Sequence, residues 1–188
     1  MRNLLIAFAF IFSLSSCIPV AVLMGATVGG AVIYDKRSTE VIVQDQRAGA
    51  TLQQRILKTP ELENTHIVIA TFNHVMLLTG QVDTQTQKEQ IYRMATETKY
   101  VSRVYNEITV GPATTRWQRT KDAWITTKVK SELLAKPGLH STEIKVVTEN
   151  GVVYMMGKLS HRQADMATDV ARKVDGVRTV VKVFEYPQ

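Results

Sequence analysis

A chain of 188 residues has room for one medium domain or two small ones, and its apolar and charged fractions, 45% and 21%, are those of an ordinary globular protein. The formal charge of +6 is basic, yet too thin for a dedicated nucleic-acid binder. A single cysteine, Cys17, excludes an internal disulfide.

The N-terminus reads as an address. Met1-Arg2-Asn3 is a short basic start, Leu4 to Leu14 is an apolar run, and Ser15 and Ser16 are small residues ahead of Cys17. Basic, apolar and small, in that order, describe a secretory signal. The ending Leu14-Ser15-Ser16-Cys17 resembles a bacterial lipobox. That resemblance implies cleavage before Cys17, a diacylglycerol on its sulfur, and acylation (palmitate) of the new amine. Ile18, and not Asp, follows the cysteine, which by the same analogy directs the product to the outer membrane. The run Ile18 to Ile33 is apolar too, but its 16 residues include four Pro or Gly and fall short of the ~20 needed to span a bilayer. The reading is therefore a signal peptide over 1–16 and a lipidated, apolar and flexible leader over 17–44.

An internal repeat organises the remainder. Asp45–Val82 lies over Asp122–Leu159 without a gap at a constant offset of 77 residues, matching Pro60 with Pro137, Asn73 with Asn150 and Gly80 with Gly157. One deletion then brings Val101 and Val104 onto Val177 and Val180. Two copies of this size predict two small similar domains, 45–110 and 117–188, joined by a linker over 111–116.

Each copy reads helix, strand, strand, helix, strand. Ala48, Leu52 and Ile56 recur every four residues on a helix that stops before Pro60. His66 to Thr71 and Val75 to Val82 are apolar or β-branched runs about the dipeptide Asn73-His74, and the second copy has the hairpin signal Asn150-Gly151 there. Gly80 and Gly157 sit late in a strand, which marks a bulge or a close backbone approach and gives them a structural role. Gln85 to Lys99 and His161 to Val174 read as helices, and Val101 to Val110 and Val177 to Phe184 as the closing strands.

This order, with the strand Gly151-Val152-Val153-Tyr154-Met155-Met156-Gly157 and the ending Val174-Asp175-Gly176-Val177-Arg178-Thr179-Val180-Val181, resembles the BON domain. The resemblance implies an α+β fold of two tandem BON domains. Each is an αββαβ sandwich of a three-stranded mixed sheet and two helices. Together with the lipobox and leader, it implies a periplasm-facing outer-membrane lipoprotein that binds anionic phospholipid through its second BON domain. It also implies gathering at division sites and support of membrane integrity.

The two copies differ in a telling way. Residues 45–110 carry seven basic and seven acidic side chains, whereas 111–188 carry thirteen and eight, so the second copy holds nearly all the excess. On its first helix, Ile125, Val129 and Leu133 form a core face, while Trp117, Lys121, Trp124 and Lys128 fall on another stripe a quarter-turn or more away. Indoles interleaved with ammonium groups suit the headgroup level of an anionic membrane. The first copy has Gln44, Arg47 and Thr51 opposite Lys121, Trp124 and Lys128, so the fold does not require the stripe. The resemblance adds Val129 and Leu134 to the lipid-contacting set.

No catalytic constellation stands out. His66, His74, His140 and His161 share no metal-type spacing and read as solvated or hairpin-end residues. No Gly-rich loop precedes a helix, and Cys17 is assigned to lipid, so neither enzyme activity, cofactor nor metal is expected. The alternative reading is a protein-interaction module that assists outer-membrane protein assembly or peptidoglycan remodelling and touches lipid through its acyl chains alone. Stacking of Trp117 or Trp124 on a glycan is a third. Export argues against a nucleic-acid partner.

Overall fold

Among the described residues, each α-helix starts at a hydroxyl side chain that takes up an orphan backbone N–H. The computed structural model describes residues 37–187, so the signal peptide, Cys17 and the leader up to residue 36 lie outside the described residues. Ser38 caps α1 (Thr39–Leu57) by accepting from the Val41 N–H. Thr84 caps α2 (Gln85–Thr96) in a reciprocal capping box with Gln87. Thr115 and Ser160 cap α3 (Arg116–Ala135) and α4 (His161–Ala171). The cap at Ser38 starts α1 ahead of the boundary taken at Asp45.

The strands are β1 (His66–Phe72), β2 (Val75–Val82), β3 (Arg103–Val110), β4 (Lys145–Glu149), β5 (Val152–Lys158) and β6 (Thr179–Glu185). Each half is an αββαβ unit with a three-stranded mixed sheet, ordered β1-β2-β3 and β4-β5-β6. The first pair in each sheet is antiparallel and the second parallel. Both hairpins turn on two left-handed residues, Asn73 and His74 at φ 52° and 65°, and Asn150 and Gly151 at 49° and 73°. The second helices and third strands are shorter than the sequence pattern suggests. Backbone turns take up the intervening residues, with Val101 N–H on Thr98 O at 3.2 Å and Val177 N–H on Val174 O at 3.1 Å.

Central strands β2 and β5 are apolar on both faces, so each needs two covers. Met76, Leu78 and Val82 pack under α1 and α2 with Leu52, Ile56 and Ile91. Val153 and Met155 do the same under α3 and α4 with Ile125, Val129 and Leu133. The opposite faces meet each other: Phe72, Val75 and Leu77 of the first sheet form a third apolar core with Tyr154, Met156 and Val183 of the second. The two domains are thus packed sheet against sheet in one compact unit. All three cores are built from residues of that unit, so a fragment 34–188 carries everything they need.

Polar links close the rim of this contact. Gln81 Nε2 and Thr114 Oγ1 donate to Glu149 Oε1 at 2.9 and 3.1 Å, and the Thr114 N–H donates to Gln81 Oε1 at 2.9 Å. Asn73 Nδ2 donates to Glu185 Oε2 at 2.7 Å, and Lys145 Nζ to Thr71 O at 3.0 Å. Burial, and then the nearby Arg37, lowers the Lys145 pKa. His66, expected to be solvated, instead has its Nε2 buried at this contact, 3.6 Å from Glu149 and without a hydrogen bond.

Tyr154 lies inside the contact, where burial, helped by Glu107 and Glu149, pushes its phenol up to about 12. An unfolded chain releases that proton near 10. Stability linked to the neutral phenol is therefore intact below pH ~10 and falls as pH rises toward the folded value. Tyr154→Phe is expected to flatten the alkaline decline, read as unfolding midpoints across that window; equal declines in both proteins would refute it.

Gly80 and Gly157 mark close approaches, as their strand positions suggest. A Cβ on Gly80, at φ +113°, would sit 1.9 Å from the His66 carbonyl oxygen, and one on Gly157 would sit 2.6 Å from the Glu143 oxygen. His66 is the first residue of β1, so that end of the hairpin can part rather than the whole sheet. Gly80→Ala is expected to cost about 2–3 kcal/mol in urea unfolding, and Gly157→Ala less, because its backbone carries no left-handed strain.

Candidate functional site

Helix α3 turns Asp122, Ile125, Val129 and Leu133 inward. Its outer surface keeps three large apolar side chains in solvent, Trp117 at 78% exposure, Trp124 at 52% and Leu134 at 68%. Lys121 is exposed between the two indoles. Lys128 is more tied: its ammonium lies 4.3 Å from the Trp124 ring centroid and 3.5 Å from the Asp175 carboxylate. That cation–π contact holds the indole against the helix and spreads positive charge over its face.

Two of the expected site residues need qualification. Val129 is fully buried in the second-domain core and is not available to a surface. Five residues beyond Trp124, it lies about 140° around the helix, on the core side. Leu134 is exposed, but so is its counterpart Leu57, at 75%. An exposed leucine at the end of the first helix is common to both copies, unlike the indoles.

What positions the stripe is a buried carboxylate. Asp122 accepts from the Asn150 and Gly151 N–H groups, both at 2.8 Å, and from Gln118 Nε2 at 2.9 Å. Asp45 does the same in the first domain, accepting from Asn73 and His74 at 2.7 and 2.8 Å, with Arg37 at 2.8 Å as counter-ion. Each carboxylate ties its helix to the hairpin turn and so fixes which face points outward. Sequence reasoning assigned these aspartates no role, although they align in the repeat and so do the turn residues Asn73 and Asn150.

Two hollows flank α3. A groove of about 510 Å³ runs between its C-terminal half and α4, lined by apolar residues such as Met166 and Val170, by Glu132, Asp169 and Asp175, and by Lys128, Lys136 and Lys173. A smaller concavity of about 320 Å³ lies by its N-terminal half, against the Asn150-Gly151 turn. Among the described residues, no cluster of His, Cys, Asp or Glu has metal-binding form, and no helix is long and apolar enough to cross a membrane.

The BON-domain family profile matches residues 44–112 and 121–188, one match for each αββαβ unit. The chain belongs to the BON family. It is 33% identical over 187 residues to the outer membrane lipoprotein DolP of Haemophilus influenzae, covering 99% of this chain and 96% of that one. It is also 40% identical over 155 residues to the 21 kDa hemolysin of Actinobacillus pleuropneumoniae, covering 82% of this chain and 80% of that one. Identity to the osmotically-inducible protein Y of Escherichia coli is 29% over 141 residues, covering 73% of this chain and 70% of that one. Near full-length kinship to the first of these supports an outer-membrane lipoprotein built on two BON domains. The exposed stripe belongs to the second BON domain alone: Arg47 and Thr51 stand in the first where Trp124 and Lys128 stand here.

Proposed function

We propose that this protein is a non-enzymatic lipoprotein, anchored through acylated Cys17 and facing the periplasm, whose second BON domain lies on anionic phospholipid through α3. The observation that carries this reading is a pair of exposed indoles interleaved with lysines on one of two helices whose core positions match. Trp117 and Trp124 supply amphipathic rings for the interfacial zone, and Lys121 and Lys128 supply charge toward lipid phosphate. Val129 acts from the core, by holding the helix, and Leu134 adds apolar area at its far end. Recruitment to division sites and support of membrane integrity are the roles we propose such a contact serves.

The strength required is modest. Each cation near an anionic surface contributes on the order of 1 kcal/mol, and partial indole burial adds to it. Acyl chains hold the domain beside one leaflet, so weak, reversible contact suffices at high effective concentration. The test is co-sedimentation of fragment 34–188 with zwitterionic vesicles and with vesicles containing anionic phospholipid, at low and high salt. Salt-sensitive binding to the anionic vesicles alone is expected. Binding to neither would leave the acyl chains as the membrane contact and turn the second BON domain into a protein-interaction module.

A further inference from the structure

The smaller concavity beside α3 has the makings of a phosphate site. Lys121 on α3 and Arg178, in the loop between α4 and β6, wall it together with Gln118 and the turn residues Asn150, Gly151 and Gly176. The turns approach closely because all three of their residues are left-handed, Asn150 at φ 49°, Gly151 at 73° and Gly176 at 91°. The loop is tied down by the Arg178 N–H, which donates to Gly151 O at 2.8 Å. The absence of side chains at the glycines makes room for the two cationic stems. Atoms of Arg178 lie 3.1 Å from where a Gly151 Cβ would stand, and Lys121 Cε lies 3.9 Å from where a Gly176 Cβ would stand.

The charges near this hollow do not cancel. Asp122 is buried at 3% exposure, and both its oxygens are engaged by the hairpin N–H groups. Asp175, beside Gly176, pairs with Lys128 on the far side. Neither the Lys121 ammonium nor the Arg178 guanidinium has a side-chain hydrogen bond or an ion pair among the described residues. The larger groove, by contrast, is lined by Glu132, Asp169 and Asp175 against Lys128, Lys136 and Lys173, so its charges balance.

Comparison within the chain sharpens this. The deletion in the repeat places Ser102 opposite Arg178 and Tyr100 opposite Gly176, with Gln44 opposite Lys121 and His74 opposite Gly151. In the first domain the positions of Lys121 and Arg178 thus hold no cation, and two extra rings stand there, with His74 Nδ1 held to Tyr100 O at 3.1 Å and the Lys99 ammonium 4.8 Å from the Tyr100 ring centroid. Lys121 and Arg178 therefore belong to the copy that bears the indoles, with Gln44 and Ser102 in their places in the other.

We propose that this concavity is the headgroup subsite of the lipid-facing surface: a lipid phosphodiester seated between Lys121 and Arg178, with the guanidinium fork on two of its oxygens. The inference rests on the lipid reading above and moves part of the recognition off α3 onto the loop before β6. Lys121, between Trp117 and Trp124, joins the two parts.

The test uses fragment 34–188 titrated onto vesicles containing anionic phospholipid. Lys121→Gln and Arg178→Gln are each expected to weaken binding about fivefold and their combination about 25-fold. Arg178→Lys should keep much of the affinity. Lys130→Gln, an equal change of charge on α3 outside the concavity, should cost less than twofold. Unchanged thermal midpoints would show that the variants fold. Losses no larger than that of Lys130→Gln, with wild type still bound, would overturn the subsite and leave the lipid reading standing. Wild-type failure to bind would remove the lipid reading itself. Amide signals of Gly151, Gly176 and Arg178 should move with vesicles, and inorganic phosphate at equal concentration should move them little. Full saturation by inorganic phosphate without vesicle binding would assign the hollow to free phosphate and overturn the lipid headgroup.

Discussion

Asp122→Ala is expected to destabilise the second BON domain by about 3–5 kcal/mol, since hydrogen bonds to a charged acceptor contribute about 1.5–3 kcal/mol each. The carboxylate is buried and serves the Asn150 and Gly151 N–H groups at once, and the Gly151 group is buried as well. Alanine leaves both donors without their partner, the Gly151 one where water reaches poorly. Asp122→Asn is expected to restore part of the loss, because one amide oxygen accepts while the amide nitrogen faces donors. Urea unfolding of fragment 34–188 measures the cost, and hydrogen exchange at Asn150 and Gly151 locates it. An unfolding midpoint within error of wild type would show that the helix does not depend on this tie. In the first domain Arg37 stands 2.8 Å from Asp45, so Asp45→Ala removes an ion pair in addition.

Trp124→Glu is expected to reduce binding to anionic vesicles by about 30- to 100-fold, or on the order of 2–3 kcal/mol. Roughly 1–2 kcal/mol of that is lost indole burial at the interface. The remainder is the new negative charge near an anionic surface, on the order of 1 kcal/mol. The new carboxylate also lies within reach of Lys128, whose ammonium now sits over the indole. Folding should be spared, because Trp124 belongs to none of the three apolar cores. Equal vesicle binding by a folded variant would remove the stripe from the mechanism.

Much of this architecture follows from local chemistry. The Asn-Gly turn, the strand glycines and the four-residue apolar spacing of the first helices each act within a few residues, and the repeat doubles them. They place the αββαβ order and separate the core face of α3 from its indole stripe. That spacing already turns Val129 inward; the family resemblance alone put it in the lipid-contacting set, because likeness does not say which way each residue points, and 140° of rotation does. Sequence reasoning misses Asp45 and Asp122, because an acidic residue on a helix reads as solvated until its hydrogen-bond partners, 28 and 29 residues away, come into view. His66 is misread for a related reason: its surroundings come from the other domain.

The sequence by itself determined the elements, their twofold repetition and the concentration of charge and indoles in the second copy, since these depend on spacing and composition along the chain. It also required that β2 and β5 be covered on both faces, because their side chains are apolar in both alternating sets. What covers the second face was decided only by the tertiary structure. Phe72, Val75 and Leu77 meet Tyr154, Met156 and Val183 across a contact that no periodicity specifies, because apolar surfaces attract without direction. The pairing of Lys121 with Arg178 was decided there as well. Fifty-seven residues separate the two, and it takes the Asp122 tie and two left-handed turns to bring them to one hollow.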